Sequence, residues 1–126
     1  DVLIIMVLAC IACDTMISDR FIITTLAEAA AQNASTVQAV EAVRQTLAEN
    51  GLRPTSDSGV EEWAWSDPEH PPGVRVTVSA SANRVTVRLV QGRYGPIGPT
   101  DKYRAVRESL LKNMRQRYGK ASVVVE

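Results

Sequence analysis

The sequence predicts an α+β domain: an antiparallel sheet of about four strands with two amphipathic helices packed on one face. Three observations lead there. Apolar and polar residues alternate strictly in two adjacent runs, 74–79 and 84–89, which describes a hairpin with one dry face and one wet face. Two longer segments, after Ser35 and after Thr100, carry apolar residues at helical spacing between start and stop signals. Each element has a single apolar side, so both helices must cover the dry face of the sheet.

Taken in order, residues 20–25 are rich in β-branched side chains and form a candidate first strand, whereas 26–31 favour helix. Ser35 and Gln38 form a capping box, with Ser35 at the N-cap and Gln38 satisfying amides at the third helical position. The helix they open places Val37, Val40, Val43 or Arg44, and Leu47 at helical spacing, and Gly51 closes it ahead of Leu52. Arg53 and Pro54 through Ser58 and Gly59 are turn chemistry. Residues 60–65 alternate as a strand with Trp63 and Trp65 on one face, and 66–73 are a polar, proline-bound loop. In the hairpin Val74, Val76, Val78, Val85, Val87 and Leu89 are dry; Arg75, Thr77, Ser79, Arg84, Thr86 and Arg88 are wet. A Gly/Pro loop at 91–100 ends in Thr100, an N-cap for a helix from Asp101. Tyr103, Val106, Leu110, Leu111 and Met114 share one side of that helix, Gly119 stops it, and 121–125 supply a closing strand expected beside the hairpin.

The chain has 126 residues and formally zero net charge, which fits one domain and removes the global attraction a general nucleic-acid binder uses. The neutrality is uneven. Residues 14–72 hold ten acids and three bases, residues 73–120 eleven bases and two acids, and the expectation is that the halves pack together and neutralise each other. Both cysteines, Cys10 and Cys13, lie outside the domain, which leaves it no thiol for a disulfide, a metal or catalysis. Their C-x-x-C spacing lacks the strand-to-helix context of a redox motif, and Asp14 stands where haem attachment requires His.

The N-terminus is an address. Residues 2–13 are 12 uncharged, mostly apolar residues, short of the roughly 20 that cross a hydrocarbon core and of the length of a signal-peptide h-region. Val7-Leu8-Ala9-Cys10 and Cys10-Ile11-Ala12-Cys13 are two lipobox registers, and on them the chain resembles bacterial lipoprotein precursors. The resemblance implies removal of a signal segment and acylation of the cysteine that becomes residue one, Cys13 by preference and Cys10 as the alternative. It also implies a sorting role for Asp14: retention in the inner membrane if Cys13 starts the mature chain, the outer membrane if Cys10 does. The expected organisation is a signal segment at 1–13, a tether with a first strand or helix at 14–34, and a compact domain at 35–126, facing the periplasm. In the competing reading the helix continues through Ile17 and Phe21 as a spanning anchor of an envelope complex. That would bury Asp14, Asp19 and Arg20 at membrane depth, at about 2.5–3.5 kcal/mol each near the centre.

Catalytic chemistry is thin. His70, the only histidine, sits with Asp67 and Glu69 in a proline-bound loop with no second His or Cys, so these read as exposed loop residues. Glu61 and Glu62 point to opposite faces of a strand, and Ser residues lack a visible base. A small hydrolase is therefore the least favoured reading, and no metal or cofactor is implied. The glycine loop before Thr100 lacks nucleotide-binding spacing. The candidate binding surface comprises Arg75, Arg84, Arg88, Arg93, Tyr94, Trp63 and Trp65, with core packing the simpler role for the tryptophans. The expected function is a non-catalytic, lipid-anchored envelope domain. Its membrane contact runs through the N-terminal lipid, and an envelope protein or anionic lipid headgroups meet its sheet face or its basic second helix.

Overall fold

The computed structural model describes residues 17–25, 32–55, 61–66, 73–81, 83–92 and 98–126. Along the chain these form β1 (Ser18–Thr24), α1 (Gln32–Glu49), β2 (Arg53–Thr55), β3 (Glu61–Trp65), β4 (Val74–Ser81), β5 (Arg84–Gln91), α2 (Asp101–Tyr118), a 3₁₀ turn (Lys120–Ser122) and β6 (Val123–Val125). The class is α+β as expected, but the antiparallel sheet has six strands, in the order β2-β3-β4-β5-β1-β6, rather than about four.

Physical reasons account for the additional strands. β2 contains Pro54, which lacks a backbone N–H and is tolerated because β2 is an outer strand with one free side. Three residues carry no alternation, so the segment reads as a turn in sequence. β1 pairs with β5 from Ser18↔Val90 to Thr24↔Arg84 and so takes the place beside the hairpin that was expected for the closing strand. β6 is left to pair with the far side of β1, at Phe21↔Val125 and Ile23↔Val123. The folded unit thus takes in Ser18–Thr24 as an interior strand.

The strand alternation holds. Val74, Val76, Val78, Val85, Val87 and Leu89 are buried in one core with Phe21, Ile23, Val43, Leu47, Tyr103, Val106, Leu110 and Met114. Because residues of both helices share this core with one side of the sheet, both helices lie on that side.

α1 starts at Gln32, ahead of the Ser35 expected as its cap, because Gln32 and Ala34 are themselves compatible with helix. Its buried stripe is also turned from the expected one: Ala39, Ala42, Val43, Thr46 and Leu47 are buried, while Val37 is 61% exposed. Ala39 and Ala42, which have no side chain beyond Cβ, lie on the buried line of the helix, and Val37 is turned out. The other end follows the sequence. Gly51 has φ 83, its N–H donates to Ala48 O at 3.0 Å and the Leu52 N–H donates to Leu47 O at 3.0 Å. This is a Schellman motif sealed by the buried pair Leu47 and Leu52. Replacing Gly51 by Ala is expected to cost about 1 kcal/mol, read as a lower urea midpoint, because an L side chain is strained at positive φ.

α2 begins at Thr100, whose Oγ1 accepts the Tyr103 N–H at 3.2 Å. Gly119, at φ 85, donates to Arg115 O at the other end. Buried Gln91 holds the path into α2: its Nε2 donates to Gly98 O at 2.8 Å, and its Oε1 accepts the Thr100 N–H at 2.7 Å. Lys102 donates to the Asn50 carbonyl at the C-terminal end of α1 and lies 5.2 Å from the centre of the Trp65 ring, joining both helices to β3.

Candidate functional site

Among the described residues no helix covers the second face of the sheet, and its composition follows from the register. Arg20 on β1 lies opposite Arg88 on β5, Arg88 opposite Thr77 on β4, and Thr77 opposite Glu62 on β3. Two rows along, past Ile22 and Thr86, Thr24 is opposite Arg84; on the other side Val90 faces both Ser18 and Arg75, and Ala64 faces both Arg75 and Arg53. Five arginines therefore share this face, Arg20, Arg53, Arg75, Arg84 and Arg88, all exposed. Between them stand the half-buried Thr77, Thr86, Ile22 and Val90.

Among the described residues two carboxylates oppose these charges. Glu126 pairs with Arg20, and Glu62 Oε1 lies 3.3 Å from Arg75 Nη1. Arg84 and Arg88 have no ion pair among the described residues. Like charges directly opposite on neighbouring strands are unfavourable, and Arg20 and Arg88 are such a pair. They border a cleft of about 330 Å³ together with Ser18, Asp19 and Glu126. Guanidinium groups remain charged at any ordinary pH and present forked donors that match carboxylate or phosphate oxygens. The chemistry these arginines offer is recognition of an anion by charge and forked hydrogen bonds.

Of the residues expected to form one binding surface, the structure brings together Arg75, Arg84 and Arg88 and separates them from the tryptophans. Trp63 is opposite Val76 and Trp65 opposite Val74, which puts both rings on the helix side, half-buried against the core. Alternation defines two sides within each strand, and only the pairing of β3 with β4 decides which sides coincide. Trp63 Nε1 has no hydrogen-bond partner among the described residues. Arg93, Tyr94, His70, Cys10, Cys13 and Asp14 lie outside the described residues.

Among the described residues the acidic and basic halves meet in two ion pairs, Arg75 with Glu62 and Arg107 with Asp19. Arg44 binds Glu41 and Glu61, and Arg104 binds Asp101, within their own halves. Among the described residues mutual neutralisation is thus partial, and the sheet face keeps more arginines than carboxylates. Glu61 and Glu62 do diverge: Glu61 reaches Arg44 on α1, and Glu62 reaches Arg75 on the uncovered face.

Two polar clusters on the helix side join residues distant in sequence, Tyr103 with Asp19 and Arg44 with Glu61, and the i,i+3 pair of Glu41 with Arg44 is their one local part. Tyr103 Oη donates to Asp19 Oδ2 at 2.7 Å, and Arg107 Nε is 3.3 Å from the same oxygen. Burial first, and then the hydrogen bond to Asp19, hold the Tyr103 phenol above its ordinary pKa. Arg44 donates to Glu61 Oε1 through Nε at 2.8 Å and to Glu41 Oε1 through Nη1 at 2.6 Å, and these bonds, Glu61 first, raise its pKa further. This pair edges a groove of about 370 Å³ lined by Thr36, Val37, Val40 and Val78. Among the described residues no three His, Cys, Asp or Glu side chains gather as metal ligands, and no helix is long and apolar enough to cross a membrane. No protein-family model matches the chain, and no curated protein matches it.

Proposed function

We propose that this protein is a lipid-anchored domain of the bacterial cell envelope that works by binding rather than by catalysis. The observation that carries the binding role is the sheet face left without a helix, where Arg20, Arg53, Arg75, Arg84 and Arg88 stand with Glu62 and Glu126 as the carboxylates that oppose them among the described residues. An arrangement of cross-strand arginines lowers the stability of the isolated domain and suits an anionic partner. Support for the anchor comes from the apolar run at 2–13, its two lipobox registers and the polar Asp14 that follows.

Expression in bacteria grown with a clickable palmitate analogue tests the reading. The wild-type chain is expected to take up the label and the Cys10→Ser/Cys13→Ser double variant to lose it. The single variant that loses label identifies the acylated residue, with Cys13 expected. A wild-type chain that stays unlabelled would overturn the anchor.

A further inference from the structure

We propose that the uncovered sheet face lies on the anionic phospholipid headgroups of the bilayer that holds the lipid anchor. This rests on the anchored reading above, and two observations select lipid as the occupant. The first is charge complementarity. Among the described residues five arginines against two glutamates give the face an excess of positive charge, and Arg84 and Arg88 have no ion pair. Half-buried Ile22 and Val90 and the 51% exposed Val124, opposite Ile22, add apolar surface of the kind an interface between water and hydrocarbon accepts.

The second observation is the length of the leash. β1 begins at Ser18, which lies on this face, in the same row as Arg75 and Val90. From an acylated Cys13 to Ser18 the chain spans about five residue steps, roughly 17 Å even if fully extended. A domain of this size has a radius of gyration near ~13 Å, so the leash is shorter than the domain is wide. The edge of the face where β1 starts is thereby held at the membrane, and attraction to anionic headgroups brings down the rest.

The outer side of α2, with exposed Lys112 and Arg117, is the competing basic surface. Sedimentation with vesicles separates the two. The full chain carrying Cys10→Ser and Cys13→Ser is mixed with vesicles of phosphatidylcholine alone or of phosphatidylcholine with phosphatidylglycerol, at low and high salt. The apolar N-terminal run contributes to both lipids and cancels in their ratio. A preference for phosphatidylglycerol at low salt is expected, weakening at high salt. Adding Arg84→Ser and Arg88→Ser should reduce that preference about thirtyfold, at the usual contribution of a surface arginine near anionic lipid. Arg84→Lys/Arg88→Lys should retain it, and Lys112→Ser/Arg117→Ser should leave it unchanged. Equal binding to both vesicles, as a protein or polysaccharide occupant would give, overturns the proposal, as does a loss that follows the α2 variant. Palmitate labelling with no lipid preference removes the face and keeps the anchor; lipid preference in a chain that never labels supports the face and removes the anchor.

Discussion

Replacing Phe21 with alanine is expected to lower the unfolding free energy by about 3–5 kcal/mol. Phe21 is 2% exposed and sits on β1 between Val87 of β5 and Val125 of β6, on the side of the sheet that faces the helices. Truncating a buried aromatic ring loses its transfer free energy and leaves a void that close-packed neighbours only partly fill. β1 has few alternatives: without it β6 has no neighbour and β5 becomes an edge. Since domains of this size retain only about 5–15 kcal/mol in total, the change consumes a large share. Urea unfolding followed by circular dichroism measures it, and a loss below about 1 kcal/mol would mean that β1 is not an interior strand. The result bears on function, because β1 carries Ser18 and Arg20 and connects the uncovered face to the N-terminal segment.

The second large effect concerns Asp19. Its Oδ2 accepts from Tyr103 and Arg107, and Tyr103 is 1% exposed. Asp19→Ala strands a buried hydroxyl and unpairs a guanidinium, at an expected cost of about 2–3 kcal/mol. Tyr103→Phe removes the donor instead and leaves Asp19 with Arg107, so about 1 kcal/mol is expected. The same pair predicts an alkaline pH dependence. An unfolded phenol ionises near pH ~10, while the folded one, raised by burial and then by Asp19, keeps its proton to higher pH. Above that point the unfolded state binds fewer protons than the native state, so stability falls with pH by up to about 1.4 kcal/mol per unit. Below it the contribution is fully present. Urea midpoints from neutral pH to about pH 11 should show this slope in the wild type and a shallower one in Tyr103→Phe; identical slopes would contradict the assignment.

Elements whose information is local were legible from the residues alone. Period-two alternation exposed β4 and β5, and the spacing of Tyr103, Val106, Leu110 and Met114, between the Thr100 cap and Gly119, exposed α2. Gly51 and Leu52 marked the end of α1 for the same reason. What depended on distant partners was not legible. Pro54 disguised an edge strand as a turn, and the side of α1 that buries Ala39 and Ala42 and turns Val37 outward is defined by the core beneath it. The position of β6 depended on β1 taking the neighbouring slot. For the candidate site, the arginines of the hairpin were visible as a wet face, but Arg20 and Arg53 joined them only through strand order. Trp63 and Trp65 left them through the β3–β4 register, which no single strand encodes. Asp19 and Tyr103 are 84 positions apart, a separation that hides a side-chain pair from any local pattern.

The intact mass of the mature protein purified from bacterial membranes decides whether the chain is held at the bilayer by a lipid anchor. The expected species begins at Cys13, or at Cys10, and carries diacylglycerol and an N-acyl chain on that cysteine. A mass that retains residues 1–13 with both thiols unmodified would contradict lipid anchoring and remove the leash from the picture.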